Sequence, residues 1–320
     1  GRAGVAGRPG RAVTQPHDAA WVAWFRGRGH PDAEPLASGM EGAVYRLGRG
    51  LVGKVWGGER PLADLVALRR FHDELSAQAL PFATPEVVEV AVVDGTPVTV
   101  ERELPGRPLP EVGAGATRVG DCLALVLEGL ATVPDLPSAH DLPVLSEDRP
   151  FRAGLDWGPA LAALLRRRVE RFGDQLRAAV PGFDELFAHL AGALDGIDGA
   201  AGVVHGDVCP ENVLVDGDLR PTALVDWGFL TTAGDPAFDA SIAAGVVDMY
   251  GPDARAVDDR LTGVLARRLA VPVDRLLVYR AAYAVATSNA YDPGGRDGHF
   301  AWCASTLRRG DVREALGMPG

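Results

Sequence analysis

The sequence predicts an α+β chain of two lobes, a small β-rich lobe over residues 18–105 and a larger helical lobe over residues 106–320. Three observations carry this. Short apolar runs separated by Gly-bearing turns dominate up to residue 104, long stretches with helical spacing dominate beyond it, and Leu104-Pro105-Gly106 between them reads as a linker. With 320 residues and 47% apolar content, the chain is long enough to bury a full-sized core in one large domain or two lobes.

The elements follow in order. The opening Gly, Arg, Pro and Ala-rich stretch lacks periodicity and has no apolar core of a signal peptide, so residues 1–17 read as a flexible tail. From about Leu36 the pattern becomes strand-like. The runs Ala43–Leu47 and Leu51–Trp56 form a hairpin after the Gly-bearing turn Ser38–Gly42. Pro61 opens a helix on which Leu62, Leu65, Leu68 and Phe71 recur at helical spacing. Two more strands, Glu86–Val93 and Pro97–Glu103, are joined by Asp94-Gly95, a hairpin turn pair. Beyond the linker, helical patterns cover Thr117–Val133, Pro159–Val180, Phe183–Leu194, Pro236–Met249, Val257–Leu269 and Val273–Asn289. One short strand pair, Asn212–Val215 and Ala223–Val225, interrupts them around Asp216-Gly217-Asp218.

Composition excludes several functions. Three cysteines, Cys122, Cys209 and Cys303, with no Cys-x-x-Cys spacing suggest neither a zinc site nor a disulfide framework and fit a reducing cytoplasm. No apolar run reaches the ~20 residues a membrane span needs. A net charge of −11 argues against a nucleic-acid partner, because no broad basic surface is available to displace counterions from phosphates. The expected state is a monomer or weak dimer. Lys54 is the only lysine, every other permanent cation being Arg, which marks a position where a compact ammonium serves and a broad planar fork does not.

The segment Val203–Phe229 carries the chemistry. It reads His205-Gly206-Asp207-Val208-Cys209-Pro210-Glu211-Asn212, then the strand pair, then Asp226-Trp227-Gly228. Phosphoryl transfer needs an oxygen base near the incoming hydroxyl and hard oxygen ligands for magnesium, since catalysis there is mainly positioning and charge neutralisation. Asp207, Asn212 and Asp226 supply that set: the short loop places the base, and the tight hairpin returns the chain so that Asp226 faces the same ion as Asn212. His205 fits a structural role, holding the loop by hydrogen bonds.

His-Gly-Asp-x-x-x-x-Asn followed by Asp-x-Gly resembles the catalytic signature of the aminoglycoside phosphotransferase family, which has a bilobal protein-kinase-like fold. Protein kinases use a His-Arg-Asp form, so Gly206 points to the small-molecule branch. The resemblance runs from Leu36 to about Ala244. It implies ATP (or GTP) and Mg2+ as cofactors, Asp207 as catalytic base, and Asn212 and Asp226 as metal ligands. It further implies that Ser38, Gly39 and Gly42 bring backbone amides to the nucleotide phosphates and that Lys54 holds the α- and β-phosphates. The partner of Lys54 is Asp64, which stands where the family has Glu followed by the apolar positions Leu68 and Phe71, or Glu74. Glu101 and Glu103 fall in the segment that meets the adenine edge through its backbone. Asp235, before Pro236, reads as a helix cap.

The implied reaction is phosphorylation of a small-molecule hydroxyl, with an antibiotic such as an aminoglycoside as the leading acceptor, in resistance or self-protection. Macrolide, peptide and nucleoside antibiotics and a metabolic sugar or amino-alcohol remain open. Asp156, Trp157, Tyr291, Asp292, Asp297 and Trp302 are candidates for lining the acceptor pocket. A catalytically silent binding protein of the same fold is the alternative from another class, and the presence of Lys54, Asp207, Asn212 and Asp226 argues against it. A protein kinase fits less well, because Gly234-Asp235-Pro236 follows Asp226 too closely for a long activation loop.

Overall fold

The computed structural model describes residues 16–39, 42–57, 61–197 and 202–318. They divide into two compact units: residues up to Asp73 with Pro85–Leu104, and Glu74–Thr84 with Pro105 onward.

In the first unit, α1 (Pro16–Gly27) precedes an antiparallel sheet built from β1 (Glu34–Gly39), β2 (Gly42–Gly48), β3 (Leu51–Trp56), β4 (Val87–Val93) and β5 (Thr96–Arg102), in the order β1-β2-β3-β5-β4. Strand alternation sorts the side chains to two faces. Tyr45, Leu47, Val55, Val98 and Val100 form a buried cluster with Phe25 and Ala33, and Trp21, Val22 and Trp24 pack against it. The apolar face of α1 therefore covers one side of the sheet. Gly53 makes room for it, since a Cβ there would stand 2.4 Å from the Phe25 ring. Lys54, Trp56, Thr99 and Glu101 lie on the opposite face. This α1 cover was not visible as an element in the sequence; the helix also begins at Pro16, inside the stretch expected as a tail. Residues 1–15, Met40 and Glu41 lie outside the described residues. From β3 the chain enters α2 (Leu62–Ser76), whose Leu65, Leu68, Phe71 and Leu75 are buried at helical spacing.

In the second unit, β6 (Arg107–Pro108), α3 (Ala116–Leu130), α4 (Trp157–Ala179) and α5 (Phe183–Asp195) lead to four short strands, β7 (Gly202–Val204), β8 (Val213–Val215), β9 (Pro221–Leu224) and β10 (Thr232–Gly234). The chain then finishes in α6 (Ala237–Val246), α7 (Ala254–Arg268), α8 (Val273–Thr287), α9 (Gly298–Leu307) and α10 (Gly310–Ala315). The segment 74–84, expected with the β-rich lobe, groups here because Ala83 donates to Thr222 O (2.9 Å) and accepts from Leu224 N–H (3.0 Å), which ties it to β9. The core of the helical bundle is mainly apolar but encloses one buried ion cluster. Arg280 on α8 is 0% exposed and donates from Nη1 to Asp258 of α7 (2.5 Å), from Nε to Ser241 of α6 and from Nη2 to Thr262 of α7. Arg309 also pairs with Asp258, so this buried charge cluster joins three helices and the segment before α10. The three cysteines are buried and none is in a disulfide. Among the described residues no helix is long and apolar enough to cross a membrane.

Candidate active site

The catalytic segment is strung between two pairs of short strands. β7 pairs antiparallel with β10, Val204 facing Thr232, and β8 pairs with β9, Val213 facing Leu224. His205-Gly206-Asp207 leaves β7, a single 3-10 turn over Pro210–Asn212 leads into β8, and Asp226-Trp227-Gly228 follows β9. The strand pair expected from the sequence is present, whereas the β7–β10 pair that fixes the other end of both motifs was missed. Three-residue strands are too short to show a period.

Asp207, Asn212 and Asp226 are brought together by this layout. Asn212 Nδ2 donates to the Asp207 carbonyl (2.9 Å) and to its carboxylate Oδ2 (3.0 Å), which turns the Asn212 Oδ1 away from Asp207. The Asn212 carbonyl in turn accepts from Val225 N–H (2.9 Å), one residue before Asp226. Asp226 itself has φ 58°, a left-handed conformation that Asp tolerates better than most residues, and its side chain is exposed. The chain thus turns sharply after β9 and presents the carboxylate outward, while Trp227 is buried with its Nε1–H on Leu224 O (3.0 Å).

His205 bridges the two motifs. Its Nδ1 accepts from Asp207 N–H (3.1 Å), so the proton resides on Nε2, which donates to Val225 O (2.9 Å). Its ring also meets the Trp227 ring edge-on at 4.4 Å. Gly206 has φ 83°, and a Cβ there would stand 2.3 Å from Leu230 Cβ and 2.6 Å from the Leu230 carbonyl carbon. Only glycine lets Leu230 and its backbone lie this close to the loop. Thr231 closes the arrangement: its hydroxyl accepts from Gly228 N–H (2.7 Å) and donates to His205 O (2.8 Å).

Asp239 is the residue that sequence reasoning passed over. It is fully buried in the first turn of α6, and its two carboxylate oxygens accept from His205 N–H (2.8 Å) and Gly206 N–H (2.7 Å). Burial pushes its carboxyl up to about 7 against the opposing effect of those two donors, and the charges of Asp207 and Asp235 add to the rise. The available signal was an acid at the start of a helix directly after the second motif; its partners, more than thirty residues upstream, are not readable from spacing. Asp235 is structural. It accepts from Ala237 N–H (3.0 Å) at the start of α6 and from the Tyr279 hydroxyl (2.6 Å), which itself accepts from Trp157 Nε1–H (3.0 Å).

In the first unit, Lys54 faces the same side of the sheet as Glu101, and its ammonium lies 3.9 Å from the Trp56 ring centroid. Thr99, paired with Lys54 across the strands, accepts from Trp56 Nε1–H (3.0 Å) and donates to Glu101 (2.6 Å), so Glu101 is anchored as a side chain. Glu103 N–H donates to Gly50 O (2.8 Å) and its carboxylate accepts from Arg46 (3.0 Å), leaving its carbonyl as the backbone group not committed to those bonds. Ser38 and Gly39 end β1, Gly42 opens β2, and Gly39 pairs with Gly42 across the turn whose centre lies outside the described residues. Asp64 sits in the first turn of α2, on the helix face that carries the buried Leu68 and Phe71. Glu74 accepts from both the amide (3.1 Å) and hydroxyl (2.6 Å) of Ser138.

The expected acceptor-lining residues separate. Trp157 is 1% exposed and packs edge-on against Phe238 and Tyr279, so it is a core residue, removed from the lining set by its burial at the start of α4. Asp156 is exposed beside it. Asp292 is held by Arg296 through two bonds (2.9 and 3.1 Å) and by the amides of Gly294 and Arg296, which keep its carboxyl well below the usual carboxylate range. Asp297 caps α9 by accepting from Phe300 N–H (2.8 Å). Tyr291 and Trp302 belong to one ring cluster with His299.

Solved structures of this architecture include aminoglycoside phosphotransferases. A thermostable mutant of the aminoglycoside phosphotransferase APH(4)-Ia, solved with ADP and hygromycin B, superposes with a TM-score of 0.64 at 18% identity, covering 94% of this chain and 97% of that one. APH(3'')-Id from Streptomyces rimosus gives 0.56 at 20% identity over 84% and 99% of the two chains. APH(2")-IIa in complex with gentamicin gives 0.61 at 12% identity over 97% and 100%. At these identities the likeness establishes the kinase-type fold alone. No curated protein sequence matches the chain. The phosphotransferase enzyme family model matches residues 32–275, more than half of the chain and the whole of both motifs, and the chain accordingly belongs to that family of kinase-type enzymes with a hydroxyl acceptor.

Proposed function

We propose that the protein transfers the γ-phosphoryl group of ATP to a hydroxyl of a small-molecule antibiotic, in resistance or self-protection. The observation that carries the reading is the Asn212 clamp on Asp207. A general base must be held in one position relative to the acceptor, and here the Asn212 side chain grips both the carbonyl and the carboxylate of Asp207 while the Asn212 main-chain carbonyl accepts from the amide of Val225, the neighbour of Asp226. Nucleotide use is supported by the ADP and AMP-PNP bound in similar structures, and an antibiotic acceptor by the hygromycin B, streptomycin and gentamicin named with them.

In this reading Asp207 accepts the proton of the acceptor hydroxyl as the oxygen attacks the γ-phosphorus and ADP departs. Lys54 and the amides around Ser38, Gly39 and Gly42 hold the nucleotide phosphates, and the chain at Glu101–Glu103 meets the adenine. Asp64 is the acid assigned to Lys54; Glu74 is already engaged by Ser138. The donor set suits magnesium: Asn212 Oδ1, turned away from Asp207, and the exposed Asp226 carboxylate are hard oxygens, and magnesium takes few protein ligands, retaining waters and phosphates. Bound there, the ion supplies charge neutralisation on the phosphates.

The test is magnesium-dependent ADP release over aminoglycoside, macrolide, peptide and nucleoside antibiotics, with Asp207→Asn as the control. Stimulation by one class, lost in the variant while nucleotide still binds, is the expected result. Failure of the wild type to bind ATP would end the phosphotransferase reading.

A further inference from the structure

The helical unit presents connected rings, joined in sequence through Leu230 to the loop that carries Asp207. Leu230, the residue that follows Phe229, lies against Gly206, the residue before Asp207. Tyr283 on α8 is fully enclosed; burial, and after it the charge of Asp207, raises its hydroxyl well above the ordinary value. From these anchors the rings continue. Phe229 lies parallel to Tyr291, with centroids 6.1 Å apart and planes 3° apart. Tyr291 meets His299 edge-on at 4.8 Å, and His299 stacks on Trp302 at 6.0 Å. Tyr283 packs edge-on against both His299 (6.2 Å) and Trp302 (6.1 Å).

Burial divides this cluster into a support and a surface. Tyr283 and His299 are buried, and His299 is oriented by a 2.9 Å hydrogen bond between Nε2 and the Thr287 hydroxyl. Phe229, Tyr291 and Trp302 are each half-buried, so each keeps part of its ring toward solvent. The two carboxylates of the segment that carries Tyr291 and Trp302 are occupied: Asp292 is neutralised by Arg296, and Asp297 is spent on the α9 cap. A polycation bound through this segment would have to displace those partners. A ring face would not, since stacking needs only the aromatic surface already present.

We infer that the Phe229–Tyr291–Trp302 surface is the acceptor platform, and that the acceptor is a molecule of low positive charge presenting a flat ring face, the C–H face of a sugar or an arene, beside the hydroxyl that is phosphorylated. This rests on the phosphotransferase reading and narrows its acceptor within the antibiotic class. Tyr291 and Trp302 are specificity-determining residues in this assignment, and Asp207 keeps the chemistry.

The experiment measures ring-probe binding separately from nucleotide binding, so that failure of one reading is distinguishable from failure of the other. Methyl glucoside, phenyl glucoside and 2-phenylethanol separate sugar from arene recognition, gentamicin is the polycationic arm, and saturation-transfer NMR reads binding at low and high salt. At least one neutral probe should bind wild type with little salt dependence. Its affinity should fall about tenfold in Tyr291→Ala and Trp302→Ala and be kept in Tyr291→Phe, with ATP affinity unchanged in all three. The inference is overturned if Tyr291→Ala leaves neutral-probe binding intact, or if no neutral probe binds at millimolar concentration. Gentamicin binding alone, with an affinity that collapses as salt rises, overturns it too. Loss of ATP binding in wild type sinks the phosphotransferase reading instead, and the NMR arm still reports on the rings.

Discussion

Replacing Gly206 with alanine tests whether the contact between the catalytic loop and the segment after Asp226 sets the position of Asp207. The added Cβ would fall 2.3 Å from Leu230 Cβ and 2.6 Å from the Leu230 carbonyl carbon, so restoring an ordinary 3.4 Å contact moves one segment by about 1.1 Å. The left-handed φ of 83° adds ~1 kcal/mol for a residue with a Cβ, and overpacking of this kind costs ~1–3 kcal/mol, giving a destabilisation of about 2–4 kcal/mol. A displacement near 1 Å at a catalytic base lowers turnover by about 10²-fold. Urea unfolding reads the first quantity, and the kcat of ADP release reads the second, with nucleotide affinity as the control for lost folding. Because the clash is with the Leu230 Cβ and backbone atoms, all of which alanine keeps, adding Leu230→Ala should not restore activity. A Gly206→Ala protein with wild-type kcat and an unchanged unfolding midpoint would refute the reasoning, and so would rescue by Leu230→Ala, which leaves every clashing atom in place.

Three further outcomes are expected. Asp239→Ala leaves the buried amides of His205 and Gly206 without acceptors and should cost about 2–5 kcal/mol with a drop in kcat larger than any rise in KM; equilibrium unfolding and steady-state kinetics check both. Asp258→Ala strands the fully buried Arg280 and should destabilise by about 3–5 kcal/mol, whereas Asp258→Leu with Arg280→Met recovers most of that loss, as a double-mutant cycle in urea would show. Arg280 and Arg309 overcome burial and hold the Asp258 carboxyl below its ordinary range, so its contribution is present above pH ~4 and is lost as pH falls below that; the gap between wild type and Asp258→Ala should narrow in acid. Lys54→Arg places a planar fork where a compact ammonium lies over Trp56, and ATP affinity measured by calorimetry should fall at least about tenfold with the unfolding midpoint unchanged.

Much of the candidate site's local layout was legible because it is local. Asp207, Asn212 and Asp226 fall within twenty residues of one another, and the turn lengths between them already dictate that the chain doubles back. The β2–β3 and β4–β5 hairpins were readable for the same reason, each being a strand, a Gly-bearing turn and a strand. His205 was readable as a structural residue in a tight loop, although its two partners were not.

What the sequence by itself determined is therefore the order of the elements, the catalytic motif and the class of chemistry, all of which depend on residue type and short spacing. Only the tertiary structure decided that α1 covers the sheet, that Asp239 carries the amides of His205 and Gly206, that Trp157 belongs to the core and that Tyr291 and Trp302 join Phe229 in one ring cluster. Each of these is a contact between residues far apart in the chain, and periodicity tells which side of an element is apolar but not what that side will meet. Phe25 reaches Gly53, and Asp239 reaches Gly206, only because separate elements pack closely enough that a single Cβ or one carboxylate oxygen determines the fit.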